Sequence, residues 1–359
     1  MKSIAELDPN FKLPETIPEG MIFHSPFDEP FKLYGLADNA KGVYCRLPES
    51  MLPICSEGVR GLSWHLAGAC VRFTTDAQQM GVLWELMDTA NMPHFTASGQ
   101  SGMELFEETD EGTKFITNMV PAMADGHGCK RNQACGIGLP GGLRHYVLYL
   151  PLYNGIKELL LGFNPDAKLL PGRTPRYEKP VVFYGSSITQ GGCAPKAGSC
   201  YTTILARRMD FAQVNLGFSG SGKGEPHMAE YIASLPMSAF VLDYDHNAST
   251  YDHLIATHEP FFQIIRQKHP TLPIVIITKP DFDSNPVVNA RRREIIHKTY
   301  ENAVAAGDKH VYFVDGQTLF GDTDRDLCTM EGCHPNALGF LRMADRIEPV
   351  LRQALAEME

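Results

Sequence analysis

The sequence predicts two domains: an all-β sandwich of jelly-roll type over residues 1–175, then a three-layer α/β/α domain with a parallel sheet over residues 176–359. Three observations predict this. Residues 69–163 hold short apolar or alternating runs punctuated by turn residues, with no long helical stretch. Beyond residue 180, wholly apolar strands alternate with helical patterns, as in βα units buried on both faces. Between the two, residues 164–180 contain four prolines and read as a linker. A length of 359 residues, 43% of them hydrophobic, also exceeds what one core usually holds.

The first sixty residues carry little periodicity and are expected to wrap around the sandwich. Its strands are expected at Cys70-Val71-Arg72-Phe73, Gly81-Val82-Leu83-Trp84-Glu85-Leu86, Met103-Glu104-Leu105-Phe106 and Thr113-Lys114-Phe115-Ile116. The Asp110-Glu111-Gly112 corner suits a hairpin between the last two. Asn154-Gly155 supplies the positive φ angles of a tight turn, which predicts a second hairpin joining the runs at 146–150 and 159–163. In the second domain, apolar strands are expected at 181–184, 214–216, 240–242, 274–277 and 311–314. Leu254, Ile255, Phe261 and Phe262 fall at helical spacing, with Ser249 and Asp252 forming a capping-box-like start. Gly307 suits the end of the helix that contains Ala303-Val304-Ala305-Ala306.

A formal net charge of −10 disfavours nucleic acid or an anionic membrane as partner. The one basic run, Arg291-Arg292-Arg293, is expected on the solvated face of an amphipathic helix. Nine cysteines without a regular spacing suggest reduced thiols. Together with an N-terminus lacking an apolar h-region, they lead to the expectation of a cytoplasmic chain. No apolar run is long enough to predict a transmembrane helix.

Ligands of open parallel sheets bind beyond the carboxyl ends of the strands, and four stretches fall there. The first strand ends in Gly185-Ser186-Ser187-Ile188-Thr189, where a serine can present its hydroxyl to a cleft or merely cap a turn. The second ends in Gly217-Phe218-Ser219-Gly220-Ser221-Gly222, whose glycines let backbone amides face a ligand. The third ends in Asp243-Tyr244-Asp245-His246-Asn247, with a side-chain amide able to stabilise an oxyanion. Near the C-terminus, Glu331-Gly332-Cys333-His334-Pro335-Asn336 sets a carboxylate three residues before a histidine at a loop–helix junction. A carboxylate on one imidazole nitrogen leaves the other free to take a serine proton.

Taken together, the four stretches resemble the SGNH (GDSL-like) hydrolases, whose blocks carry Ser, Gly, Asn and His in this order. The resemblance runs from Val181 to about Leu351 and implies a flavodoxin-like α/β/α hydrolase domain. It is strongest to a bacterial subgroup with a β-sandwich ahead of that domain. It implies Ser187 as nucleophile, His334 as base and Glu331 as orienting acid. The oxyanion hole would consist of Ser187 N–H, Gly220 N–H and Asn247. The family's Gly-Asp-Ser is here Gly185-Ser186-Ser187, and its usual Asp is here Glu331. A serine esterase of acetyl or other short-chain acyl groups on glycans or small molecules is implied, working without cofactor or metal.

Three alternatives stay open on the sequence alone. Residues 217–224 nearly fit the phosphate-loop pattern, but Gly224 replaces the magnesium-binding hydroxyl, and Glu225 and Pro226 follow. Glu331, His334, Cys328 and Cys333 offer metal donors whose spacing matches no zinc signature. A sandwich that binds carbohydrate beside an inactive second domain is the third.

Overall fold

A computed structural model describes residues 20–89, 92–124 and 127–356. The first half is a sandwich of two antiparallel sheets. One has the order β1 (Ile22–His24), β11 (Ile156–Phe163), β4 (Gln79–Leu86), β9 (Arg131–Gly138). The other runs β12 (Leu169–Pro171), β3 (Cys70–Thr75), β10 (Arg144–Tyr149), β5 (Met103–Thr109), β6 (Gly112–Met119), with β2 (Lys32–Tyr34) also on β3. A short ladder joins β7 (Met123–Ala124) and β8 (His127–Gly128). Period-two alternation explains the core. Val71, Phe73, Tyr146 and Leu148 turn inward against Val82, Trp84, Leu159 and Leu161 of the facing sheet. The opposite face of the second sheet is covered too. Cys70, Val147 and Tyr149 cluster with Phe106 and with Ala197 of the second half, so β3 is buried along its whole length.

The hairpin at 110–112 forms, with Thr109 paired to Gly112 and Gly112 at φ +123. The hairpin expected at Asn154-Gly155 does not. β10 and β11 lie in different sheets, because their apolar faces must oppose one another across the core, and the chain crosses between them there. Buried Asn154 serves that crossing. Its amide nitrogen donates to Asp88 O and Ser101 Oγ, and its Oδ1 accepts from Asp88 N. Nor is 164–180 wholly a linker: β12 pairs there with β3 and the first parallel strand starts at Tyr177. Pro171 is tolerated because β12 is an edge strand.

The second half is a five-stranded parallel sheet with order β14 (Phe211–Gly217), β13 (Tyr177–Gly185), β15 (Ala239–Asp243), β16 (Ile274–Ile277), β17 (Val311–Val314). This 2-1-3-4-5 order is flavodoxin-like, with its switch point between β13 and β15. The first half supplies α1 (Glu57–Leu62) and α2 (Ala97–Ser101), and β13 runs straight into the short α3 (Ser187–Gln190). One face of the parallel sheet packs on α4 (Tyr201–Met209) and the C-terminal helix. The other packs on α5 (Pro226–Ser234), α6 (Tyr251–Lys268) and α7 (Pro286–Ala305).

Three local expectations change. Thr250, not Ser249, caps α6, its hydroxyl accepting from His253 N at 3.1 Å. Arg292 is buried rather than solvated, its Nε 2.7 Å from Asp245 Oδ1, while Arg293 pairs with Asp315. The early segment divides: Phe31 and Tyr44 join the sandwich core, whereas Cys45, Leu47, Met51, Cys55 and Val59 cover a face of the parallel sheet. Gly307 closes α7 at φ +88, as expected.

Candidate active site

The site is built on the turn from β13 into α3. A Cβ on Gly185 would land on Thr189 Oγ1 and Asp243 O, so only glycine fits where the strand turns. Ser186 is the N-cap: its hydroxyl accepts from Ile188 N at 3.2 Å. The capping role that the sequence left open for this pair thus falls to Ser186. Ser187 is the first residue of the helix and is 8% exposed. Its N–H lies in the first turn, where amides have no intrahelical acceptor. Its carbonyl is held by Gly192 N at 2.7 Å and by the Tyr153 hydroxyl at 3.0 Å, the latter from the sandwich half.

Ser187 Oγ lies 2.9 Å from His334 Nε2, and His334 Nδ1 lies 2.5 Å from Glu331 Oε1. The carboxylate can only accept, so the proton sits on Nδ1 and Nε2 is left to accept from the serine. The same Glu331 oxygen also accepts from His334 N at 2.9 Å. Burial pushes the Glu331 pKa up, but hydrogen bonds from His334 and the charges of His334 and His94 outweigh it, and the net shift is downward. The loop is pinned by a bridge between Thr329 and Pro335. Pro335 precedes the last helix, α8 (Ala337–Ala356), rather than opening it. Asn336 closes that helix end, its Oδ1 accepting from Leu338 N and Gly339 N.

The glycine loop after β14 is tied to α3. Gln190 Oε1 accepts from Ser219 N at 2.9 Å, and Asn215 Nδ2 donates to Thr189 O at 2.7 Å. Gly220 is exposed and left-handed at φ +64. Asn247 reaches the same loop, but its amide nitrogen donates to Phe218 O and Gly222 O, both at 2.9 Å. In this state the amide clamps the loop rather than presenting free hydrogens. The phosphate-loop alternative fails here. Lys223 N is taken by the Glu225 carboxylate, Gly224 N by the Tyr184 hydroxyl and Gly222 N by Phe218 O, so those amides do not face a ligand.

Several site residues carried no signal in the sequence. Arg46 is completely buried, with no carboxylate partner among the described residues. Its guanidinium donates to the carbonyls of His65, Asn215, Gly217 and Leu62 and stacks over Phe218. It therefore fastens the early segment to the base of the glycine loop. Asp243, at the end of β15, accepts from Thr189 and Tyr201 hydroxyls, and burial pushes its pKa up to about 7. His94 and Cys193 bring donor atoms within 4.8 Å of those of Glu331 and His334. Cys328, grouped with Glu331 and His334 in the sequence, is buried elsewhere, its sulfur directed to Phe320 O and Asp324 O.

Residues 178–352 match the model of the GDSL-like lipase/acylhydrolase family, and residues 21–169 match the model of the N-terminus of SGNH hydrolase-type esterases. No curated protein matches the chain. Among solved structures, a protein from Bacteroides ovatus described as a GDSL-like lipase is 28% identical, with a TM-score of 0.84 over 94% of this chain and 98% of its own. A salicylyl-acyltransferase from a tetracycline biosynthetic pathway shares the fold at 21% identity and TM-score 0.77, covering 94% and 99%. So does an acetyl xylan esterase from the rumen bacterium Butyrivibrio proteoclasticus, at 14% identity and TM-score 0.57, covering 95% and 100%. A serine at the head of α3 joined to a histidine, a flavodoxin-like sheet behind it and the two matched models together make this chain a member of the SGNH (GDSL-like) hydrolase family, a carboxylic ester hydrolase with the family's β-rich N-terminal region.

Proposed function

We propose that Ser187, His334 and Glu331 act as a catalytic triad that hydrolyses short-chain acyl esters, with acetyl groups on carbohydrate as the substrate class. The observation that carries this reading is the continuous relay from Ser187 Oγ through both ring nitrogens of His334 to Glu331. His334 Nε2 takes the Ser187 proton as Oγ attacks the ester carbonyl. The proton then passes to the leaving alcohol as the C–O bond breaks, giving an acyl-serine. Water, deprotonated by His334, releases the acid and restores the serine. Ser187 N–H and Gly220 N–H would hold the oxyanion, and Asn247 would join them by exchanging one of its bonds to the loop carbonyls. Acetylated carbohydrate is favoured because the acetyl xylan esterase named above shares the fold along its whole length.

The test is a panel of p-nitrophenyl esters of increasing acyl length, with acetylated xylo-oligosaccharides, against wild type, Ser187→Ala and Ser186→Ala. In a fully built triad, loss of the serine costs about 10⁶-fold in kcat. A phosphonate should label the Ser187 peptide. Labelling that survives Ser187→Ala and vanishes in Ser186→Ala would overturn the nucleophile. Hydrolysis confined to long acyl chains would overturn the substrate class.

A further inference from the structure

Two residues beside the relay have no part in the proposed acyl transfer. Cys193 is 6% exposed and sits at φ 68, a left-handed backbone that side-chain-bearing residues seldom adopt. His94, from the sandwich half, is exposed, with its ring centroid 6.1 Å from that of His334. Together with Glu331 and His334 they offer one sulfur, one carboxylate oxygen and two imidazole nitrogens, all within 4.8 Å of one another. A tetrahedral zinc with bonds of about 2.0–2.3 Å needs donors roughly 3.3–3.8 Å apart. The farther pairs therefore need to close by up to about 1 Å, which exposed His94 is free to do, while Glu331 Oε1 and His334 Nδ1, now 2.5 Å apart, would have to separate if Nδ1 is the ligand.

We infer that the catalytic centre is also a binding site for one thiophilic divalent cation, Zn²⁺ by its donor set, held by His94, Cys193, Glu331 and His334, and that ion and ester substrate exclude each other. The exclusion does not depend on which nitrogen of His334 binds. Nε2 is the atom that accepts from Ser187 and Nδ1 the atom that donates to Glu331, so ligation by either opens the relay. The charges balance: a thiolate and a carboxylate neutralise the dication, and the two imidazoles bind through neutral lone pairs. The Cys193 thiol proton leaves to solvent as the metal–sulfur bond forms. Without an ion, burial and then the charges of Glu331 and Cys333 push that thiol up to about 12, so it rests protonated. A bound dication reverses this preference. Mg²⁺ and Ca²⁺ prefer all-oxygen sites and are not expected to bind. The neighbouring group of His246, Asp281 and Cys333 offers three donors, and Asp281 already meets His246 at 2.8 Å and Lys279 at 3.3 Å. That makes Cys333 the control cysteine.

Ion binding stands independently of the triad assignment; only the inhibition rests on it. The test uses the whole chain in two measurements. Co²⁺, as a spectroscopic substitute for Zn²⁺, should produce a thiolate-to-cobalt charge-transfer band in wild type and in Cys333→Ala. The band should be lost in Cys193→Ala. In parallel, Zn²⁺ should inhibit p-nitrophenyl acetate hydrolysis, reversibly with chelator. Removing a ligand through Cys193→Ala or His94→Ala should raise the half-inhibitory concentration by at least the ~10–100-fold typical of losing a residue that only orients a ligand, each measured against that variant's own activity in metal-free buffer. A missing band in wild type, or a band that survives Cys193→Ala but not Cys333→Ala, overturns the site even if the chain hydrolyses no ester. A Cys193-dependent band without inhibition of an active enzyme overturns the exclusion. If Cys193→Ala fails to fold, His94→Ala decides, since His94 is exposed; unchanged zinc sensitivity there overturns the ligand set.

Discussion

In Glu331→Gln the substitution keeps the size and an acceptor oxygen at the place where Glu331 Oε1 now takes hydrogen bonds from both His334 N and His334 Nδ1. The imidazole tautomer can therefore survive, and the change isolates one quantity: the attraction between a carboxylate and the imidazolium that the proposed mechanism forms as Ser187 gives up its proton. Two unit charges about 4 Å apart attract by roughly 4 kcal/mol at an effective dielectric of 20 and by roughly 1 kcal/mol in bulk water. The Glu331 side chain is 39% exposed and that of His334 26%, which places the pair between those limits, at about 2–3 kcal/mol. At about 1.4 kcal/mol per decade, kcat should fall roughly 30- to 150-fold with little change in KM. A buried serine-protease triad loses about 10⁴-fold for the equivalent change, where the tautomer is also lost. Glu331→Asp keeps the charge and should retain more activity than Glu331→Gln. The assay is kcat and KM for the three proteins near neutral pH, with folding checked by thermal melting. Wild-type kcat in Glu331→Gln would show that Glu331 does not act on the imidazolium. A loss near 10⁴-fold would show that the carboxylate also sets the tautomer.

Asn247→Ala should lower kcat by about 10²–10³-fold; a change in KM alone would assign Asn247 to substrate binding rather than to the transition state. Arg46→Met removes the donor from the carbonyls of His65, Asn215 and Gly217, while Leu62 O keeps His65 N; each carbonyl left without a donor costs about 1–3 kcal/mol if it stays buried. The melting temperature should drop sharply, and a shift of only a degree or two would mean that water replaces the guanidinium. For Asp243, burial raises the folded pKa to about 7 from an ordinary 3.8. Its stabilising contribution is therefore complete below pH 3.8 and lost as pH rises to about 7. Asp243→Asn should remove that decline from the melting profile between about pH 4 and pH 7, and an unchanged profile would show that Asp243 is not its source.

What the sequence determined by itself is what short stretches of chain determine. Five apolar runs of strand length separated by helical periods require a parallel sheet, because such strands must be covered on both faces. Glycine at 185 followed by two serines marks a strand-to-helix turn, since a Cβ there has no room. Glu331 and His334, three residues apart, meet within one loop. Local spacing failed where a turn residue has a tertiary duty. Asn154-Gly155 has the composition of a hairpin, yet the strands it joins belong to opposite sheets, and only the need to oppose their apolar faces across one core decides that. The proline-rich 164–180 likewise contains an edge strand, whose pairing depends on β3, far back in the chain. The surroundings of the site belong wholly to the tertiary structure. Arg46 reaches carbonyls 169 and 171 residues away, Tyr153 holds Ser187 O from the other half, and Cys193 and His94 meet only when the halves close on each other. None of them repeats with a helical or strand period, and Arg46 and Tyr153 are polar groups whose burial is tolerable only beside partners that folding brings to them.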